Sequence, residues 1–282
     1  MPATPMQLPE VTLCCVDTRD PALALWAMQR CMAQIRFADV ILFSNAALVP
    51  SPPSGVRVVD VRVDTIEAYS HFMLRGLTPH ARTSHLLVAQ WDGFVRDASR
   101  WEPAFLDFDY IGAPWHEPIA GQWVGNGGFS LRSRRLLDAL LDPDVQITHP
   151  EDEAICVTNR ELLAARYGVR IATPEVARRF SYERVEPTQP TFGFHGLFNF
   201  PRELSNAELS DFIAALPERL TRGLDAHDLC AWLIRAGRLG DAQVLLDKRW
   251  RLGMRDRRTL RLAWRLRVAR WRRASATRRG ST

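Results

Sequence analysis

The 282-residue sequence has no run approaching the roughly 18 apolar residues that a membrane-spanning helix requires. Its N-terminus lacks the basic start and apolar stretch of a secretory leader, so a cytoplasmic location is expected. Also missing are a phosphate-binding P-loop, a Gly-x-Gly-x-x-Gly after the first strand-like run, a His-Glu-x-x-His and a Gly-x-Ser-x-Gly. These absences argue against nucleoside-triphosphate hydrolysis, dinucleotide oxidoreduction, zinc proteolysis and serine hydrolysis. Cysteine is scarce: Cys14, Cys15, Cys31, Cys156 and Cys230 are odd in number, lie mostly inside apolar segments and have no metal-type spacing, the pattern of reduced core residues.

A hydrophobic content of 46% in a chain of this length can bury a full core. Charge is unevenly placed. Residues 249–282 hold thirteen Arg and a single acid, Asp256, whereas the remainder carries 24 Lys+Arg against 31 Asp+Glu, so the formal net charge of +5 hides an acidic body and a basic tail. Such a tail points toward an anionic surface. Within it Leu260, Trp264, Val268 and Trp271 form one helical stripe and Arg258, Arg261, Arg265 and Arg272 another. This spacing fits either a basic amphipathic helix lying on an anionic inner-membrane surface, making the protein peripheral there, or a packed terminal helix with a solvated Arg face.

Residues 11–16 form an apolar, β-branched run ending at Asp17-Thr18-Arg19-Asp20-Pro21, and 22–35 carry apolar residues at helical spacing. The buried-strand pattern returns at 40–43, 56–59 and 85–90, with a Pro/Ser/Gly loop at 50–55 and a helical stretch at 65–77. This alternation predicts an α/β fold with a mostly parallel sheet flanked by helices. Ligands of such sheets gather beyond the carboxyl ends of the strands, where Asp17, Ser44 and Asp92 fall. Trp, Pro and Gly crowd 101–128 as in site-forming loops, followed by a predicted strand at 128–131, a helix at 133–141 and a helix from about 150 to 167. Beyond Arg202 the pattern is helical at 205–216, 226–236, 239–250 and 255–273, and 231–242 resembles one tetratricopeptide-type hairpin, too little for a repeat array. The expected division is a domain over 1–204 and a helical appendage over 205–282, ending in the basic amphipathic helix.

The segment Val124-Gly-Asn-Gly-Gly-Phe-Ser-Leu131 is followed some twenty positions later by Glu151-Asp152-Glu153 at a helix start. Glycines let a backbone approach a ligand where a Cβ would collide, and a nearby carboxylate can take a proton from an attacking hydroxyl. Together with Leu86-Leu-Val-Ala-Gln-Trp-Asp92, Phe108-Asp-Tyr-Ile-Gly-Ala-Pro-Trp115 and Phe192-Gly-Phe-His-Gly196, these segments resemble a largely uncharacterised bacterial and eukaryotic domain family grouped with the GT-A (Rossmann-like) nucleotide-sugar glycosyltransferases. The resemblance covers roughly residues 10–203.

The resemblance implies a metal-dependent, inverting transferase that moves a sugar from a nucleotide donor, a UDP-sugar, to a hydroxyl of a glycan, lipid-linked saccharide or protein. A divalent cation, Mn²⁺ or Mg²⁺, would neutralise the departing pyrophosphate. GT-A enzymes hold it with Asp-x-Asp at the end of a buried strand; here that position reads Gln90-Trp91-Asp92, leaving Asp92 as the ligand. The literal Asp107-Phe108-Asp109 is the competitor, and an Asp-Gly turn with Gly93 is the structural alternative for Asp92. His195 is the expected C-terminal metal or phosphate contact, its alternative a core histidine bonded to backbone.

Asp152 is the expected base and Glu151 the residue orienting the acceptor, although carboxylates in a first helical turn are also favoured by the helix dipole alone. Asp17, Thr18, Arg19 and Ser44 are expected to contact the nucleotide, or else only to open a helix. Trp115 and Trp123 offer faces for a sugar ring, and Asn126, Gly127 and Gly128 surround the acceptor. The rival reading is a non-catalytic GT-A-like module, short of the first acid at position 90, docking through its basic tail to membrane, nucleic acid or a partner; nucleic acid is the least expected of these.

Overall fold

The computed structural model describes residues 4–49 and 51–279; Pro50, the first residue of the loop expected at 50–55, lies outside them. The chain divides into two compact units, residues 1–195 and 196–282.

In the first unit, the apolar run before Asp17 becomes β1 (Met6–Val16), and α1 (Pro21–Gln34) starts on Pro21, whose missing N–H is no loss at a helix start. β2 (Ile35–Ser44), β3 (Arg57–Asp60) and β4 (His85–Ala89) pair parallel with β1 or with each other. Between β3 and β4 the helix expected at 65–77 is α2 (Ile66–His71) followed by a π-helical turn over Phe72–Gly76. Downstream of β4 come β5 (Gly93–Val95), β6 (Tyr110–Ile111), β7 (Pro114–Ile119), β8 (Gln122–Val124) and β9 (Phe129–Ser133). The main sheet has the order β3-β2-β1-β4-β9-β6, parallel across its first four strands and antiparallel at β9 and β6. It is a mixed α/β architecture with a mostly parallel core sheet. Fully buried Cys14, Ile41, Phe43, Leu86 and Val88 pack on one face with Met73 and Leu77.

Ser133 caps α3 (Arg134–Ala139), its hydroxyl accepting from Leu136 N at 3.0 Å. The single helix expected from about 150 to 167 is instead α4 (Glu151–Glu153), a π-helical turn and α5 (Arg160–Tyr167). Asn159 causes the break: its amide donates to Ala154 O and Gln146 O and its Oδ1 accepts from Gln146 N, replacing the regular ladder with side-chain bonds. α6 (Pro174–Phe180), β10 (Ser181–Tyr182) and β11 (Gly193–His195) complete the unit, with β10, β11 and β5 forming a second small sheet.

The second unit is helical: α7 (Phe200–Glu203), α8 (Asn206–Ala215), α9 (Leu224–Arg235), α10 (Leu239–Arg251) and α11 (Arg257–Arg279). A Ser205–Glu208 capping box opens α8, and Gly237 at φ 74° turns the chain between α9 and α10. No helix among the described residues is long and apolar enough to cross a membrane.

Candidate active site

Strand register gathers three separated segments at the carboxyl end of β4. Ala89 lies opposite Phe129 in the β4–β9 pair, and one step on Gln90 N donates to Gly128 O at 2.8 Å. In the β5–β11 pair His195 lies opposite Gly93. The segments 90–93 and 127–128 and His195 therefore share one end of the sheet, where ligands of parallel sheets collect.

His195, with only 13% of its side chain exposed, stands between two acids. Its Nε2 is 3.1 Å from Gln90 Oε1 and 3.2 Å from Asp92 Oδ1; its Nδ1 is 3.2 Å from Glu183 Oε1. Gln90 spends its amide on Tyr69 OH at 2.7 Å, so it offers His195 only an oxygen. Both ring nitrogens thus face acceptors, which requires a proton on each. Burial alone would lower the imidazole pKa, but the Asp92 and Glu183 carboxylates overcome it and hold it well above the usual value. The two carboxylates therefore favour the protonated, cationic form of the ring. In return His195 outweighs the burial of Glu183 and lowers its pKa, helped by a hydrogen bond from Asn126. Asp92 is 6% exposed, and its Oδ1, off the axis of the His195 N–H, accepts no hydrogen bond; buried Asn126 Oδ1 also lacks a donor.

The glycine segment meets the protein's own side chains. A Cβ on Gly128 would come within 2.1 Å of His195 Nε2, and one on Gly127 within 2.2 Å of Glu151 Oε1. Between Val124 and these residues Asn126 adopts φ 54°, a left-handed conformation that Asn tolerates better than other side chains. Glu151, 5% exposed, is bonded at 3.1 Å to the fully buried Arg132, whose Nε donates to Ser130 Oγ at 3.1 Å and whose guanidinium lies over the Tyr110 ring. The Arg132–Glu151 pair anchors the start of α4 against β9. Asp152, next in the chain, is half-buried, and its Oδ1 accepts from Glu153 N at 3.0 Å.

The first loop is organised mainly through backbone. Asp17 Oδ1 accepts from Arg19 N and Asp20 N, Thr18 Oγ1 donates to Val63 O at 2.7 Å, and the exposed Arg19 donates to Asp64 O at 2.5 Å. Ser44, at the end of β2, is fully buried with its Oγ unpartnered. Trp115 is half-buried on β7 and Trp123 is 45% exposed on β8. Asp109, by contrast, belongs to the opposite end of the sheet. It accepts from Ser133 Oγ at 2.5 Å and Arg170 N at 2.8 Å, beside the start of β4, where His85 pairs with Ser133. Asp107 ends a 3₁₀ turn on the same side. The Asp107/Asp109 pair is thereby separated from Asp92.

The residues do not fit a divalent metal in this arrangement. No group of three or more His, Cys, Asp or Glu among the described residues is placed to share an ion, and both His195 ring nitrogens are turned to the protein's own acceptors. Gln90, Tyr69, Glu183 and Arg132 escape the sequence reading. Arg132 leaves one trace, a charge inside an apolar strand pattern; nothing in the sequence links position 183 to 92 and 195.

Residues 56–195 match a family described as "Protein of unknown function (DUF5672)". The match takes in Asp92, the glycine segment, Glu151, Glu183 and His195. No curated protein matches the chain. Among solved structures, similarity is found to the galactosyltransferase LgtC in complex with donor and acceptor sugar analogs, at 16% identity over 65% of this chain and 86% of that one, with TM-score 0.42. A glycosyltransferase involved in the glycosylation of the major capsid of PBCV-1 is similar at 11% identity over 71% and 96% of the two chains, TM-score 0.41. The bifunctional IspDF from Campylobacter jejuni is similar at 12% identity over 58% and 48%, TM-score 0.37. The fold class rests on the strand order rather than on these scores.

Proposed function

We propose that the first unit is a cytoplasmic glycosyltransferase that moves a sugar, with inversion, from a nucleotide-sugar donor (a UDP-sugar) to a hydroxyl of a glycan, lipid-linked saccharide or protein. The observation that carries this reading is the polar cluster at the carboxyl end of β4. Asn126 Oδ1 is a buried acceptor without a donor, and Asp92 Oδ1 has only its ion pair with His195 and no well-aligned hydrogen bond, so the hydroxyls of a sugar would supply the donors that both can take. Asp17, Thr18 and Arg19 stand at the adjacent strand end for the nucleoside, Ser44 being fully buried rather than in contact with it, and Trp115 and Trp123 offer stacking faces for sugar rings. In the reaction the acceptor oxygen bonds to the anomeric carbon as its bond to the phosphate oxygen breaks. Asp152 takes the hydroxyl proton, and the nucleoside diphosphate departs. Glu151, neutralised by Arg132, holds the α4 end that carries Asp152. Charge on the departing phosphate is met by Arg19, the His195 charge being already matched by Asp92 and Glu183. No divalent metal is invoked, because no group of three or more His, Cys, Asp or Glu among the described residues is placed to share one.

A thermal-shift panel of UDP-, GDP-, CMP- and dTDP-sugars, each with Mn²⁺ and with EDTA, tests this. At a hundred times Kd a ligand stabilises by about 2.7 kcal/mol, roughly 5–10 °C for a protein this size. Stabilisation by one nucleotide class that survives EDTA is expected. If no compound stabilises, the donor reading fails; stabilisation only with Mn²⁺ overturns the metal-free part alone. Gln90 favours one other reading, a non-catalytic GT-A-like module, because it fills the position of the first acid and ties His195 to Tyr69. Donor binding without turnover on any acceptor supports that module.

A further inference from the structure

α11 has two apolar faces, and only one of them is used inside the protein. Thr259, Leu262 and Leu266 are buried, at most 2% exposed, where the helix packs on α9 and α10. Leu260, Trp264 and Trp271 are 51%, 66% and 69% exposed. At about 100° per residue these three fall within roughly 40° of one another, on the side away from Thr259, Leu262 and Leu266. The stripe expected at 260, 264, 268 and 271 therefore does not close the core: Val268 is half-buried at its margin, and the two tryptophans face outward. Exposed Arg257, Arg261, Arg265, Arg267 and Arg270 flank it, and from residue 257 to 279 the sequence has no acidic residue.

We propose that this outer face of α11 is a docking surface for an anionic phospholipid bilayer, lying in the headgroup plane with Leu260, Trp264 and Trp271 at the acyl boundary and the arginines among the lipid phosphates. Each part has a physical reason. Tryptophan is favoured at the membrane–water interface because it joins an apolar body to a polar N–H. A helix with a narrow apolar strip bordered by Arg binds such a surface through burial and charge together. Phosphate headgroups complement the unbroken positive charge along the helix. The other occupants fit less well. The centre of a protein interface is depleted in charge, a second copy of this helix would repel the first, and a nucleic-acid backbone gains nothing from Leu260. The surface is independent of the site at β4 and of the chemistry proposed there.

The test is co-sedimentation of the full chain with phosphatidylglycerol–phosphatidylcholine vesicles at low and high salt, against pure phosphatidylcholine vesicles and against RNA. Wild type is expected to bind the anionic vesicles at low salt and to release in high salt, because screening acts on the exposed charges. Arg261→Glu/Arg265→Glu/Arg267→Glu should lower partitioning at least about a hundredfold, and Trp264→Ser/Trp271→Ser about tenfold or more. These side chains are exposed, so the melting temperature should stay unchanged in both variants. Failure to bind anionic vesicles at low salt overturns the proposal. So does vesicle binding that survives loss of both tryptophans while RNA binds equally well, which would mark α11 as a general polyanion binder.

Discussion

Gly127 touches the proposed chemistry only through a neighbour, yet no larger residue can replace it without moving Glu151 or Arg132. Gly127→Ala is expected to destabilise by about 1–3 kcal/mol, the usual cost of forcing extra volume into a packed site, when measured by urea unfolding. Gly240→Ala, in α10 with open space around its Cβ position, is the control and should be neutral or stabilising by about 0.5–1 kcal/mol. A similar contrast separates the two acids at the start of α4. Glu151→Gln leaves the buried Arg132 charge without its partner and is expected to cost about 3–5 kcal/mol of stability. Asp152→Asn should leave stability nearly unchanged while lowering turnover at least about a hundredfold. Equal stability losses in the two variants would remove the distinction. The resemblance made both acids legible as site residues; their separate roles depend on Arg132, which the sequence places nineteen positions away with no motif joining them.

The buried histidines titrate with opposite signs. Burial lowers the pKa of His85, only partly offset by the Phe108 carbonyl and Asp109. Its folded pKa lies below the unfolded value of about 6.5, so its contribution to stability is present above that pH and is lost as pH falls through the folded pKa. His195 is raised instead; its contribution is present below about 6.5 and is lost as pH rises through its folded value. Melting temperature from about pH 7 down to pH 5 should therefore fall less steeply in His85→Gln than in wild type. An unchanged slope would show that the ring does not stay neutral in the folded protein.

At the scale of elements, strands were more legible than helices. The runs at 11–16, 40–43 and 85–90 lie within or within a residue of β1, β2 and β4, because the buried interior of a parallel sheet leaves an unbroken apolar signature, and 56–59 falls within a residue of β3 although that edge strand is only half-buried. Apolar periodicity cannot see a π-helical turn, so 65–77 and 150–167 read as continuous helices when both are interrupted. The second interruption matters for the site because it sets how α4 presents its carboxylates. Asn159→Leu offers the backbone a better helix former but leaves the Gln146 N–H and carbonyl without the partners Asn159 supplies. A loss of about 1–2 kcal/mol is expected, the net worth of the side-chain hydrogen bonds removed, since water reaches the exposed Gln146, and hydrogen exchange should quicken first at Gln146. A stabilised variant would mean that helix propensity, not Asn159, governs this segment.

Across the whole molecule, charge asymmetry was fully legible in the composition, whereas its presentation was not. Counting showed a basic tail; only packing shows that α11 spends Leu262 and Leu266 inward and turns Trp264, Trp271 and most of its arginines to solvent. Converting exposed Arg257, Arg258, Arg261, Arg265 and Arg267 to Glu changes the formal charge by ten, from +5 to −5. Exposed charges contribute about 0–1 kcal/mol each in pairs, and among the described residues no acidic side chain pairs with any of these five, so the melting temperature should hold. What changes is long-range behaviour. At low ionic strength wild type should bind a cation exchanger through the tail despite its acidic body and elute as the Debye length shrinks below about 10 Å near 0.1 M salt. The variant should pass through that column and bind an anion exchanger. Failure of wild type to bind the cation exchanger at low salt would mean the arginines do not act as one exposed block, and the lipid-facing role of α11 would lose its electrostatic half.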